Sequence, residues 1–531
     1  MALGQRGLGL ISGLLATAFL GWGLARTAFW LDEGATVVAT QRSWDDLWTL
    51  KDGPEAPLLP YYVLLKLFRS AARALAPFLS DHPELLLRLP SAVVTVLAVW
   101  ILAAWLSRLT SAHLTVTTSV MLLLISGFSR YGQEARPYAL VAFLAVVATV
   151  VWHTMTTDSR WRWSVLYAFT VSAMIVMHTL SAPLVGAHLL ASVICLSGQG
   201  RWPVFWRTAV AGTVGALLAS PLALLSSSNG TGPTTVYDNI TPRYVLYIFT
   251  RLFTENPTPL LGIGPVILLA LIGLVQVRAG QYQFVARLAA GWALVPLVAM
   301  IPVLIVYPNL LLGRYVVFVL PAWAILAGLG VTFLADAVSR RVSQRQVVAA
   351  TVAVALILGT AVLQFESLNK IRQSAGHGED IRPALEIAQR PEYRKLGIVV
   401  STRFGSVMVG AYDREQEDRL VSQRMQRDQN VIWPAAVPQK EAGRSLRGKQ
   451  RVILLQRARP EEGCSQVVQP VTPAEIEYCK PPLLKRLNFQ VEQIVSAEGG
   501  WVFAVMKRQR VELAPLGQPR RNPIPAAIAA R

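Results

Sequence analysis

The chain has 531 residues, of which 53% are hydrophobic and 15% charged; a soluble protein of this size carries about a quarter charged residues. Lysine and arginine outnumber aspartate and glutamate by 50 to 31, a formal net charge of +19. Because apolar runs of spanning length recur as far as residue 366, the excess points to loop topology and anionic lipid headgroups, and no nucleic-acid-binding motif accompanies it.

The first apolar run, near 7–28, follows Arg6 and has no clean small-residue cleavage site, so it reads as a retained anchor. Directly after it stands Phe29-Trp30-Leu31-Asp32-Glu33-Gly34. Two adjacent carboxylates at a membrane surface must stay hydrated or paired, although an ordinary helix start also favours acids. Further spans are expected near 88–107, 113–129, 136–156, 164–180, 182–199, 205–226, 258–277, 288–307, 315–336 and 347–366. That makes about eleven, with 113–129 notably short, and an odd number sets the termini on opposite sides. Arg108, Arg160 with Arg162, Arg201, Arg278 with Arg287, and Arg340 with Arg341 and Arg345 alternate onto one side. The positive-inside bias makes that side cytoplasmic, with the N-terminus inside and the C-terminal part outside.

The outer side then holds the long first loop, where Leu58 to Phe68 with Lys66, Arg69 and Arg73 reads as an interfacial helix, and a second such segment from Tyr244 to Leu252. Asn229-Gly230-Thr231 and Asn239-Ile240-Thr241 match glycosylation acceptors for a host that uses them. Beyond Leu368 the composition turns polar, with β-like runs at 397–401, 451–455, 489–494 and 501–506 and a helical pattern at 381–389. The expected organisation is a membrane part at 1–367, a small extracytoplasmic α/β domain at 368–510 and a disordered Pro/Arg/Ala-rich tail at 511–531. Of the three cysteines, Cys195 lies in an apolar span, while Cys464 and Cys479 lie where an oxidising compartment permits a disulfide.

This topology gathers charge at the outer span ends: Asp32 and Glu33, Arg88-Leu89-Pro90-Ser91, the turn Gln133-Glu134-Ala135-Arg136-Pro137-Tyr138, His178, and Arg314-Tyr315. Arginine on the outer side runs against the topological bias, so Arg88, Arg136 and Arg314 need acidic partners, lipid headgroups or a task. Acids with arginines at one membrane face suit transfer of a sugar from an isoprenoid phosphate. Arginines stabilise the departing phosphate, and one carboxylate takes a proton from the attacking hydroxyl. Asp32 is the expected base and Glu33 the positioning acid, though the sequence alone allows the reverse.

On these residues the chain resembles the membrane-embedded glycosyltransferases of the GT-C superfamily, which includes protein O-mannosyltransferases and bacterial aminoarabinose transferases. The matching elements are Asp32-Glu33, Arg88-Leu89-Pro90-Ser91, Gln133 to Leu140, and Arg314-Tyr315 with Pro321, in order across residues 7 to 366. The resemblance implies a polytopic α-helical membrane fold and inverting transfer from a polyprenyl-phosphate sugar to a protein, glycan or lipid hydroxyl. It further implies that Arg88, Arg136 and Arg314 hold acidic side chains or the donor phosphate, with Gln133, Glu134, Tyr138 and Tyr315 in support. One departure stands out. Relatives often carry a His-Pro-Pro-Leu-Tyr-Tyr type segment in the first loop, where this chain has Pro54-Glu55-Ala56-Pro57-Leu58-Leu59-Pro60-Tyr61-Tyr62 without histidine. Asp52 or Glu55 is the available substitute, and Glu55, Tyr61, Tyr62 and His178 are the candidate substrate-binding residues. Similar proteins often have a histidine where His178 stands, whereas His188 reads as structural. No cofactor is required by any motif, and a divalent metal stays open because no regularly spaced His/Cys set appears. A transporter or lipid flippase is the alternative class, but it favours midplane charges and repeats, and no internal repeat is evident. A third reading is an inactive relative whose outer domain recruits partners.

Overall fold

The computed structural model describes residues 2–228, 241–254, 259–278, 280–307, 312–340, 342–457 and 472–509. Helices occupy every position at which a span was expected: α1 (Ala2–Gly21), then, beyond the first loop, α4 (Pro83–Leu109), the pair α5 (Ala112–Leu124) and α6 (Ser126–Gly132), α7 (Tyr138–Thr157), α8 (Trp161–Met177), α9 (Pro183–Ile194), α10 (Arg201–Ser228), α12 (Pro259–Gly273), α13 (Gln283–Val306), α14 (Leu320–Ser339) and α15 (Arg345–Lys370). Between them, the first loop carries α2 (Leu31–Gln41) and α3 (Leu59–Leu75), and α11 (Pro242–Phe253) precedes α12. Among the described residues five helices are long and apolar enough to cross a membrane, or six with the bent α5/α6 pair, and shorter apolar helices stand at 7–21, 161–177, 179–194 and 264–277. The chain is an integral multi-pass membrane protein.

The short expected span at 113–129 is broken. Ile125 adopts an extended backbone between α5 and α6, and the two helices meet at 72°. Gly127 lets α11 pack directly against this break, because a Cβ there would lie 1.9 Å from the Leu252 carbonyl oxygen of α11. Burial ranks the spans: the α14 segment is central, 83% of its apolar window being covered by protein, while only 6% of that of α15 is. The centre is close-packed through small residues, since a Cβ on Gly330 would meet the Leu269 carbonyl oxygen of α12 at 1.9 Å.

Two ends of this bundle differ in chemistry. At one, arginines cap helix carbonyls, Arg207 donating to Met155 and Arg287 to Ile194 at 2.8 Å. At the other, α2 and α3 pack beneath a mixed sheet ordered β1-β2-β4-β3, from β1 (Ile398–Val400), β2 (Arg451–Arg457), β3 (Phe489–Ser496) and β4 (Trp501–Arg508). β1 and β2 are parallel and the other pairs antiparallel, with Ile453 opposite both Ile398 and Val505. The helical pattern at 381–389 forms a helix over Arg382–Ala388.

The sheet does not close its core alone. Phe29, Val38, Tyr62 and Leu65 from the first loop share one apolar cluster with Met408, Trp501 and Phe503. A Cβ on Gly34 of α2 would come within 2.6 Å of Met408 Sδ, so helix Arg403–Tyr412 seats directly on α2. Arg42, buried at the end of α2, donates to the carbonyls of Gln429 at 2.6 Å and Gln426 at 3.0 Å. Residues nearly 400 apart in sequence therefore fix where α2 lies. The first glycosylation sequon, Asn239 and Ile240 of the second, and Cys464 fall outside the described residues.

Candidate active site

The acids of the first loop meet Arg88, the turn at 133–138 and Arg314 at the sheet-bearing end of the bundle. Trp30 precedes α2, and its backbone N–H donates to Glu33 Oε2 at 3.4 Å. Glu33 is wholly buried. Its Oε1 accepts from Arg88 Nε at 2.7 Å and from the Ala135 N–H at 2.9 Å, and its Oε2 accepts from Arg88 Nη2 at 2.6 Å. Burial alone would raise this carboxyl, but Arg88 and then His377 overcome it and hold it well below the usual carboxylate range. Arg88 spends its remaining donors on the carbonyls of Leu24, Thr27 and Ala28, fastening the chain that joins α1 to α2.

Asp32 faces a different environment. Its side chain is 17% exposed, and Oδ2 lies 3.3 Å from Arg314 Nη2 and 3.6 Å from Arg136 Nη2. That oxygen has no hydrogen-bond partner, and neither do the buried Nε–H groups of Arg136 and Arg314. Arg314 also sits over the Trp30 ring, 5.4 Å from its centroid, and Arg130 lies 5.6 Å from the same centroid. A carboxylate that keeps an oxygen free of hydrogen bonds can take a proton, and the two guanidinium groups beside it have spare donors for an anion.

The first loop reaches the same cluster. Arg136 Nη1 donates to Thr36 Oγ1 at 3.3 Å and to the Tyr62 hydroxyl at 3.4 Å, and Tyr62 donates to Glu55 Oε2 at 2.7 Å. Burial raises the Glu55 carboxyl, and Arg136 and the Tyr62 hydroxyl only partly offset it. Tyr61 is buried with its hydroxyl 3.5 Å from Ser91 Oγ. Asp52 is exposed, its carbonyl accepting from the Asn430 amide at 2.9 Å. Tyr138 packs edge-on to His178 at 6.0 Å between centroids, and His178 Nε2 lies 3.2 Å from the Tyr315 carbonyl oxygen.

Gln133 and Glu134 do not touch Asp32. The Gln133 amide donates to the carbonyls of Leu20 at 2.6 Å and Trp22 at 2.9 Å, closing the end of α1. Glu134 is buried and accepts from Arg130 Nε at 2.8 Å. His188 lies in the bundle, 2.9 Å from the Tyr167 hydroxyl and stacked on Trp152. No motif marked His377. Buried just beyond the last span, its Nδ1 is 3.7 Å from both Glu33 and Glu134. Its only sequence signal is a lone histidine between Gly376 and Gly378. Among the described residues no cluster of three or more His, Cys, Asp or Glu side chains is disposed to hold a metal ion.

No family model and no curated protein matches the sequence. The crystal structure of ArnT from Cupriavidus metallidurans bound to undecaprenyl phosphate matches with TM-score 0.51 and 15% identity, over 98% of this chain and 100% of that one. ArnT in the apo state gives 0.50 and 14%, over 94% and 98%. The chain has the GT-C fold. Within that GT-C architecture, the acids and arginines named above lie where the first loop, the span ends and the sheet converge.

Proposed function

We propose that the protein is a polyprenyl-phosphate-dependent glycosyltransferase acting on the extracytoplasmic face, transferring a sugar to an acceptor hydroxyl with inversion. The observation that carries this reading is the contrast between two adjacent acids. Glu33 has both oxygens occupied and no exposure, whereas Asp32 keeps an oxygen free of hydrogen bonds between Arg136 and Arg314. Asp32 is thus the base and Glu33 the residue that positions Arg88 and the loop.

In the reaction, the acceptor oxygen attacks the anomeric carbon and passes its proton to Asp32. The bond from that carbon to the phosphate oxygen breaks, and its electron pair leaves with the polyprenyl phosphate. Phosphate is a stable leaving anion, so the site supplies donors rather than an acid. The unpartnered Nε–H groups of Arg136 and Arg314 are suited to that role. ArnT, which shares the fold, was crystallised with undecaprenyl phosphate, and that supports the donor class. The arginines at the opposite end of the bundle support an extracytoplasmic site through the positive-inside bias. A transporter would need its charges near the midplane, whereas these cluster at span ends.

The test is reconstitution of the full chain in liposomes with polyprenyl-phosphate sugars labelled in the sugar and a panel of hydroxyl acceptors. Label should move to an acceptor with stoichiometric release of polyprenyl phosphate. Movement of the intact donor across the bilayer without transfer would overturn the reading.

A further inference from the structure

A second charged site lies at the far end of α2. A cavity of about 310 Å³ opens between the end of α2, one flank of α3 and the chain following helix Arg403–Tyr412. Thr40, Lys66, Arg69, Arg73, Tyr412 and Arg414 line it, and no carboxylate is among its described lining residues. Lys66, Arg69 and Arg73 recur at helical spacing and so share one face of α3. Leu64, Leu67 and Leu75, 40%, 55% and 85% exposed, fall on the opposite face at about 100° per residue. α3 therefore turns an apolar strip one way and its cations the other, toward the sheet.

These cations are poorly compensated. Arg69 Nη1 donates to Thr40 Oγ1 at 3.2 Å, but its buried Nε–H has no partner. Burial, and then the charges of Arg73, Arg414 and Arg427, bring the Arg69 guanidinium down to about 10. Burial also lowers Lys66, followed by Arg69 and Arg73, against the opposing pull of Asp46. Lys66 turns to the carbonyls of Thr40 and Arg42 and lies 5.1 Å from the centroid of the Trp44 ring. Arg73 and Arg414 are exposed and have no carboxylate within ion-pair distance among the described residues. Arg427, the further cation, is already held by Glu417.

We infer that this cavity is a binding site for a phosphate-bearing anion, separate from the Asp32 site. Forked guanidinium donors around a polar cavity match tetrahedral phosphate oxygens, and a bound anion relieves the mutual repulsion of the cations. Thr40 lies eight residues after Asp32 on one helix, about 12 Å away at 1.5 Å per residue, so the two sites do not share ligands. A soluble phosphate and an anionic phospholipid headgroup carry the same chemistry, and the experiment separates them.

The full chain is placed in phosphatidylcholine nanodiscs and titrated calorimetrically with inorganic phosphate. In parallel, native mass spectrometry follows phosphatidylglycerol retained from mixed nanodiscs. The comparison is the double variant Arg73→Gln/Arg414→Gln, both positions exposed and outside the packed core. Saturable phosphate binding, weakened about tenfold or more in the variant, identifies a soluble anion. Phosphatidylglycerol retention lost in the variant, without phosphate binding, identifies the headgroup. If neither ligand distinguishes the variant from the natural chain, the inference is overturned. Arg69→Gln, which removes the unpartnered Nε–H, should weaken the same ligand and gives an independent readout.

Discussion

Arg88 grips Glu33 through two parallel hydrogen bonds of 2.7 and 2.6 Å, with side chains only 1% and 0% exposed. Removing one partner leaves a buried charge alone. Glu33→Gln and Arg88→Ala should each lower stability by about 3–5 kcal/mol. Arg88→Lys should also destabilise, because an ammonium cannot reproduce the fork. Thermal unfolding in detergent checks this; unchanged midpoints in all three variants would show that the pair does not hold the loop.

His377 gives the site a pH dependence. Burial lowers its pKa below the ordinary 6.5, ahead of the opposing pull of the Glu33 carboxylate 3.7 Å away. The unfolded chain therefore takes the proton first, so the associated stability is complete above 6.5 and is lost as pH falls through the lower folded value. Between about pH 7.5 and about pH 5.5 the natural chain should lose more thermal stability than His377→Asn. Equal losses would remove His377 from the account.

The close approach of α11 to α6 depends on a missing side chain. Gly127→Ala would press a methyl group against the Leu252 backbone, whereas Gly34→Ala meets only the flexible end of Met408. The first should cost about 1–3 kcal/mol and the second less. The order of the two unfolding midpoints is the measurement, and a reversed order would contradict the close approach of α11.

Arg314 combines an ion pair to Asp32, a face on Trp30 and an unpartnered Nε–H. Arg314→Lys keeps the charge and loses the planar contacts. The donor KM should rise about tenfold or more. An unchanged KM would place the donor phosphate elsewhere.

Much of this site could be read from the chain because its chemistry runs against a strong bias. Arginines at 88, 136 and 314 were expected on the side that the positive-inside bias disfavours, and so to need carboxylates, and two carboxylates stood together at 32 and 33. The sequence left the proposed division of labour open, since the contrast between the acids depends on the Ala135 N–H and Arg88 filling one carboxylate and not the other. Gln133 shows the limit of motif reasoning. It sits among the matching residues yet closes the end of α1. His377 and the Met408 contact with α2 escaped because their partners are remote in sequence, Glu33 and Gly34 from the first loop and Glu134 from the turn before α7, where no local periodicity reports on them.

The central claim is that Asp32, and not Glu33, takes the proton from the acceptor. Asp32→Asn keeps the size of the side chain but takes the shared counter-charge from Arg136 and Arg314, so its unfolding midpoint should fall and transfer is read on the folded fraction. Its single-turnover transfer rate from a labelled polyprenyl-phosphate sugar should fall by about a hundredfold or more. Transfer at the natural rate by folded Asp32→Asn protein would contradict the account.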